Sequence, residues 1–405
     1  MFVVLACIRA GIVQEPLVFK PLAQPLRPPR RILVICTRRI GDVLLSTALL
    51  RSLKHAWPQA RIDVLTNAGS AAVLEGNPDI ERLLLLPDRP GVGEFLRCAA
   101  RIFRRYSLAL STLPNDRQHV LAFLSAPVRV NAVPPPVETS ARWKRWLSDG
   151  WAMVNLSRHH AVTQYLLLAD CLRIPRVAEV VPPRAAAPRL PLANAYAVVH
   201  PRPMYRYKEW PVQCWVALLR WLAGQGLQVV LTGGPGAEET AYVQGIAAAA
   251  ALPDAALLNT AGQLRFAELA ELIRGARLFV GPDTSVTHLA AATGAPTVAL
   301  FGPSPPVSWG PWPNQFKLVV DSPWVMTSPL QHQGNVWIVQ GITPCVPCLR
   351  EGCDRHLQSR ADCLDQLPAA RVIAVAAQAL TGTGASAAAA PAPEGVQGAL
   401  QPARP

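Results

Sequence analysis

The chain has no uninterrupted apolar run of the roughly 18–20 residues that a membrane-spanning helix needs, so such a helix is not expected. It has no G-x-G-x-x-G after a strand and no G-x-x-x-x-G-K-[ST] loop, which disfavours a standard dehydrogenase or a P-loop enzyme. It has no D-x-D pair, so a diphosphate held here would need its charge balanced by Lys, Arg and helix dipoles instead of a metal. Acidic residues are scarce: 26 Asp and Glu stand against 39 Lys and Arg, a formal net charge of +13. That balance favours acidic partners, whether phosphates, nucleotides, nucleic acid or an anionic membrane surface. A clustered basic arm and a recognised nucleic-acid motif are both missing, which counts against nucleic acid. Nothing basic precedes the apolar core of the start, MFVVLACIRAGIVQEP, so a cleaved signal is not expected.

What is present is a chain of 405 residues, 51% hydrophobic, enough for about two domains of roughly 100–200 residues each. Residues 1–29 read as a flexible N-terminal extension. RRILVIC (30–36) suits a buried parallel strand, and Val43, Thr47, Leu50, Lys54 and Trp57 recur at helical steps until Pro58. RIDVLT (61–66) completes a βαβ unit, hence a parallel sheet. Further strands are expected at Arg82–Leu86, Leu108–Leu113 and Arg129–Ala132. Periodicity fades and proline rises over 177–195. The same alternation restarts at AYAVVH (195–200), with a helix begun at Pro211 and closed by Gly224 and Gly226. The fold class is therefore α/β: two doubly wound parallel-sheet domains, 30–180 and 195–380, joined by a linker at 181–194. An Ala/Pro/Gly-rich tail, 381–405, is expected to be disordered.

Ligands in such sheets bind beyond the carboxyl ends of the strands, where four loops carry chemistry. In Thr37-Arg38-Arg39-Ile40-Gly41-Asp42, Gly41 permits a tight turn. Asp42 reads as a helix N-cap or as a general base, and one residue can be both. The loop His200–Pro211 holds Arg202, Arg206 and Lys208 among aromatics; Lys208 or Arg206 meets a diphosphate, or the cluster is a structural cation–π assembly. In Thr232–Glu239 the glycines allow close backbone approach, and Glu238 and Glu239 read as ribose acceptors or as capping acids. In Gly281–His288, Asp283 and Thr284 cap a helix whose free N–H groups form an anion site. His288 is a satisfied core histidine or a donor to a pyrophosphate.

Together these loops resemble the family-nine glycosyltransferases, the ADP-heptose:lipopolysaccharide heptosyltransferases, over roughly residues 30–380. The phrases that carry the resemblance are RILVICTRRIGDVLLSTALL, VHPRPMYRYKEWP, VVLTGGPGAEE, LNTAGQLRFAELAELI and FVGPDTSVTHLAAATGAPTVALFGPSPP. MYRYKEWP and the late cysteines look closer to the heptosyltransferase III-like or general branch. The resemblance implies a GT-B architecture, two Rossmann-like domains facing across a cleft, with acceptor on the first and donor on the second. It implies inversion at the anomeric carbon without a metal or other required cofactor. By its motifs, Asp42 is the catalytic base. Lys208 and Arg206, Glu238 or Glu239, Leu264 beside the adenine, and Asp283, Thr284, Ser285 and His288 bind the donor. Ser285 stands where a glycine is common. Arg38, Arg39 and Gly41 would face the acceptor. The implied partners are a nucleotide-diphosphate sugar, the anionic lipopolysaccharide core and the inner face of the cytoplasmic membrane. No nucleic acid is expected, and the place is cytoplasmic and peripheral. The stretches RCAARIFRRY (97–106) and ARWKRWLSDGW (141–151) suit this, with cations for acceptor phosphates and tryptophans at a lipid interface.

Five of the nine cysteines (Cys7, Cys36, Cys98, Cys171, Cys214) lie singly in apolar contexts, as small buried residues do. Cys345, Cys348, Cys353 and Cys363 cluster, with Asp354 and His356 nearby. They read as a structural zinc or iron–sulfur site, or as reduced or disulfide-linked thiols. Two other readings stay open: a transferase of the same fold using another nucleotide sugar, and a non-enzymatic basic nucleic-acid or metal-binding protein.

Overall fold

The computed structural model describes residues 3–5, 17–136, 138, 140–155, 159–317 and 321–382. The first domain runs β1 (Val3–Leu5), β2 (Leu17–Lys20), β3 (Arg31–Cys36), α1 (Ile40–Leu45), α2 (Thr47–Ala56), β4 (Arg61–Asn67), β5 (Arg82–Leu86), α3 (Val92–Ile102), β6 (Leu108–Ser111), α4 (Asp116–Ser125), β7 (Val128–Val133), α5 (Ala141–Trp146), β8 (Gly150–Met153) and α6 (Ala161–Leu172). Its sheet has the order β1-β2-β8-β7-β6-β3-β4-β5, parallel throughout except for β1 and β2. β3 shows why such a strand is apolar at every position. Ile32, Val34 and Cys36 pack with α1, α2 and α6, whereas Leu33 and Ile35 pack with α3 and α4. Side chains alternate across the pleat, so a strand covered on both faces needs an unbroken run. Each such buried side chain contributes about 1.5–3 kcal/mol.

The second domain runs β9 (Tyr196–Val199), α7 (Val212–Gly224), β10 (Gln228–Leu231), α8 (Ala237–Ala250), β11 (Leu257–Asn259), α9 (Phe266–Arg274), β12 (Leu278–Pro282), α10 (Ser285–Thr293), β13 (Thr297–Phe301), α11 (Pro306–Trp309), β14 (Leu330–Gln333), β15 (Val336–Gln340), α12 (Asp362–Asp365) and α13 (Ala369–Thr381). Its order is β11-β10-β9-β12-β13-β15-β14, with β14 alone antiparallel.

Three expectations need correction. Residues 17–29 are not a loose extension: β2 pairs antiparallel with β8, and Phe19 and Leu22 are buried in the core. The single helix expected over 43–57 is two. The hydroxyls of Ser46 and Thr47 donate back to the carbonyls of Val43 and Leu44 at 2.8 and 2.6 Å, and the helix is interrupted at Ser46 alone, which keeps right-handed helical dihedrals. The tryptophans of 141–151 do not all reach the surface, because Trp151 is buried in β8 and Trp143 packs edge-on against His119; Trp146 alone among them is exposed. Lys144 is buried too, 2.8 Å from Asp116. Residues 1–2 and 6–16 and the tail beyond 382 lie outside the described residues.

The segment 181–194 contains no helix or strand. Its first residue is tied to the first domain, where Val181 N–H donates to Thr47 Oγ1 at 2.8 Å. Four further contacts join the domains. His160 accepts from Val162 N–H through Nδ1, so Nε2 carries the proton, and it donates to the Gly310 carbonyl at 2.8 Å. Trp312 Nε1 donates to the Ala178 carbonyl at 2.8 Å, the Thr163 hydroxyl donates to the Asp321 carbonyl, and Arg265 pairs with Glu75 at 2.5 Å.

Candidate active site

The carboxyl ends of β3 and β12 face each other across the domain boundary, with α1 packed against α10. A Cβ on Gly41 would stand 3.6 Å from His288 Cδ2 and 3.7 Å from Ser285 Cα. The loop before α1 and the amino end of α10 therefore share one crevice. Gly41 itself lies inside α1 and not in a tight turn.

Asp42 is the third residue of α1. The N-cap is Arg39, and no side chain caps the helix, so the capping reading of Asp42 is not what the fold uses. Its carboxylate is 7% exposed; Arg38 Nη1 lies 3.4 Å from Oδ1, and the Tyr165 hydroxyl donates to the same oxygen at 3.4 Å. Burial raises the carboxyl above its ordinary range, and Arg38 and Tyr165 offset only part of the rise. A carboxylate so raised is a better base near neutral pH than a solvated one. Arg38 also stands 5.8 Å over the Trp309 ring and Arg39 5.0 Å over the Tyr205 ring, so both cations bridge to the second domain.

Opposite them, Lys208 ends a short 3-10 turn (Arg206–Lys208), and its Nζ meets Asp283 Oδ2 at 2.5 Å. Burial alone would raise the Asp283 carboxyl, but Lys208, His288 and the Ser304 hydroxyl together hold it below the ordinary value. Asp283 does not cap α10; Thr284 does, accepting from Thr287 N–H at 3.4 Å. Ser285 opens α10 and is half-buried. His288 is pushed down to about 4 by burial, so it is a neutral imidazole at pH 7, and its Nδ1 is buried with no hydrogen-bond partner among the described residues. An orphaned buried polar atom beside a helix amino end is a place for a ligand. Tyr205 and Tyr207 stack at 5.4 Å, and the loop is anchored where Trp210 Nε1 donates to the Leu367 carbonyl at 2.8 Å. Arg206 is exposed.

The acidic pair divides. Glu239 Oε1 accepts from Gly234 N–H at 2.6 Å, and a Cβ on Gly234 would fall 2.8 Å from Glu239 Oε2, so a side chain there would displace that carboxylate from the loop. Glu238 pairs with Arg202 at 2.5 Å and is largely exposed. Leu264 is half-buried against a core cluster that both domains share.

Sequence alone did not reveal Tyr165 and Ser304, which touch the key carboxylates. Tyr165 looks like one more apolar position of α6. Nor did it reveal a cavity of about 460 Å³ at the strand ends of the first domain, lined by Thr37, Asn67, Asp88, Asn115, Asp116 and Arg117 among others. The late cysteines border the crevice: Leu349 N–H donates to the Pro303 carbonyl at 3.0 Å, next to Ser304, and a Cβ on Gly302 would stand 3.0 Å from Cys363 Sγ. Cys345 and Cys353 are exposed, and the thiol of buried Cys363 is pushed up to about 12, chiefly by burial and then by its cysteine neighbours. Among the described residues no group of three or more His, Cys, Asp or Glu is arranged to hold a metal ion. Asp354 bonds Ser359, at 3.2 Å. Cys7 lies outside the described residues.

Residues 178–334 match the model of the family described as glycosyltransferase family 9 (heptosyltransferase). The chain is 28% identical over 292 residues to lipopolysaccharide heptosyltransferase 3 of Escherichia coli, a match covering 68% of this chain and 84% of that protein. It is 29% identical over 297 residues to lipopolysaccharide heptosyltransferase 2 of Escherichia coli K12, again 68% of this chain and 84% of the relative. Its fold superposes on the crystal structure of a glycosyl transferase family 9 protein from Veillonella parvula with a TM-score of 0.68, at 18% identity, covering 87% of this chain and 98% of that one. The fold is thus the GT-B architecture, two Rossmann-like domains across a cleft.

Proposed function

We propose that this glycosyltransferase, similar to family 9 in sequence and fold, moves heptose from ADP-L-glycero-D-manno-heptose onto the inner core of lipopolysaccharide, with inversion and without a metal or other cofactor. One observation carries the reading. A buried carboxylate of raised basicity, Asp42, shares a crevice with the cationic and dipolar end of the second domain, built from Lys208, His288 and the start of α10.

In this mechanism the Asp42 carboxylate takes the proton of an acceptor hydroxyl as that oxygen attacks the anomeric carbon. The new glycosidic bond forms on the face opposite the breaking bond, and the nucleoside diphosphate leaves. Lys208 and the N–H groups of α10 balance the charge that develops on the leaving oxygens, and neutral His288 donates to it. Asp283 acts as a positioning residue, holding Lys208 in the crevice. Arg38 keeps the Asp42 carboxylate ionised enough to serve. Glu239 shapes the glycine loop, and Glu238 or Glu239 takes the ribose hydroxyls, with Leu264 beside the base. The cavity next to Thr37 receives the acceptor sugar, and Arg38 and Arg39 attract the phosphates of its core. The protein works in the cytoplasm, peripheral on the inner membrane.

The test is Asp42→Asn with ADP-heptose and a lipopolysaccharide acceptor. Transfer should fall about 10²–10⁴-fold while ADP still raises the melting temperature. Transfer at the wild-type rate would refute the base assignment, and stabilisation by UDP but not by ADP would refute the donor.

A further inference from the structure

Helices α3, α4 and α5 cover the face of the first sheet that looks away from the second domain. The outward side of this layer is unused by the transfer chemistry. On α3, Val92, Leu96 and Ala100 follow at four-residue steps, with Phe103 at the helix end. The opposite side, Phe95, Cys98, Ala99 and Ile102, packs into the sheet. Val92, Leu96 and Phe103 are 78%, 59% and 54% exposed. Arg97, Arg101, Arg104 and Arg105 flank that stripe and are exposed as well.

The neighbouring helices extend the surface. The N–H of Arg104 donates to the Leu124 carbonyl at 2.9 Å, which sets Phe103 beside the end of α4, where Phe123 is exposed. Arg129 stands 5.2 Å over the Phe123 ring. On α5, Trp146 is 83% exposed next to exposed Arg142. Over residues 92–149 there are nine Lys and Arg against four Asp and Glu, and three of the acids are engaged: Asp116 with Lys144, Asp149 with Arg129, and Glu94 with the Gly91 N–H.

We propose that this helix layer docks on an anionic lipid bilayer, its aromatic and aliphatic side chains entering the headgroup boundary while the arginines meet lipid phosphates. An exposed apolar stripe flanked by arginines is the pattern of a helix lying in that boundary. Charge selects the occupant: two copies of so cationic a face repel each other, whereas an anionic surface attracts it. The catalytic crevice lies at the carboxyl ends of the strands, at the edge of this layer and not beneath its outward side, so docking leaves it open. None of the described helices is long and apolar enough to cross a membrane. The layer supplies a surface for the proposed peripheral location, and vesicle binding is read without any transfer assay, so the two can fail separately.

Sedimentation of the full chain with phosphatidylcholine vesicles, with and without phosphatidylglycerol, tests it. Binding should require phosphatidylglycerol and weaken with salt. Arg97→Gln with Arg101→Gln should weaken it about thirtyfold, at roughly fivefold per cation. Leu96→Ser with Phe103→Ser should abolish it at an unchanged melting temperature. Failure of the wild type to sediment with the anionic vesicles would overturn the proposal. So would variants that bind as the wild type does, or a dimer in sedimentation velocity that the same substitutions dissolve.

Discussion

Asp42 shows how a single side chain acquires its chemistry from its surroundings. Burial raises its carboxyl, while Arg38 and the Tyr165 hydroxyl pull it down. The deprotonated form is the base, so activity should fall as pH drops through this raised value, and the acid limb of kcat/KM should lie above the range of an ordinary carboxylate. Tyr165→Phe removes an interaction that lowers it, so the acid limb should move to higher pH with KM for the donor unchanged. A pH–rate profile of that variant superposing on the wild type would separate Tyr165 from Asp42. Asp42 itself was legible in the sequence as an acid at a helix start after a strand. Its partner Tyr165 was not, because 123 residues separate them and only folding brings them together.

At the scale of elements, the amino end of α10 and the Lys208 turn work as a pair. Thr284 satisfies the Thr287 N–H, so Thr284→Ala should cost about 1 kcal/mol by denaturant titration and should weaken ADP binding. Lys208 neutralises the buried Asp283. Lys208→Ala leaves that carboxylate unpaired, and the loss of stability should reach about 3–5 kcal/mol, less whatever solvent the opened site admits. The double variant Lys208→Met, Asp283→Asn should recover much of that stability and none of the transfer, which thermal melting and an activity assay would show side by side. The strands and most helices were predictable because hydrophobic period is a local property. The break at Ser46 was not, since it follows from two hydroxyls turning back on their own helix.

Across the whole molecule, four buried histidines sit far below the ordinary imidazole value: His119, His200 and His288 at about 4 and His160 at about 3, in each case chiefly through burial. Each takes up a proton more readily when unfolded, so stability is complete above about pH 6.5 and is lost as pH falls toward the folded values. Each histidine removes at most about 1.4 kcal/mol for every pH unit crossed in that window. The melting temperature should therefore drop steeply between about pH 6.5 and about pH 4.5, with proton uptake on unfolding in calorimetry. Because His160 Nε2 donates to the Gly310 carbonyl across the domain boundary, acid should loosen the interface along with the domains.

The alternation of strands and helices, the two-domain division and the loops bearing Asp42, Lys208 and Asp283 were set by the chain alone, because burial on both faces of a parallel sheet demands apolar runs of strand length. Tertiary structure decided the rest: that residues 17–20 add a strand, that Lys208 holds Asp283, that Glu239 serves its own glycine loop, and that the outer helices leave their apolar residues uncovered. Those outcomes depend on contacts between residues far apart in sequence, and no local period encodes them.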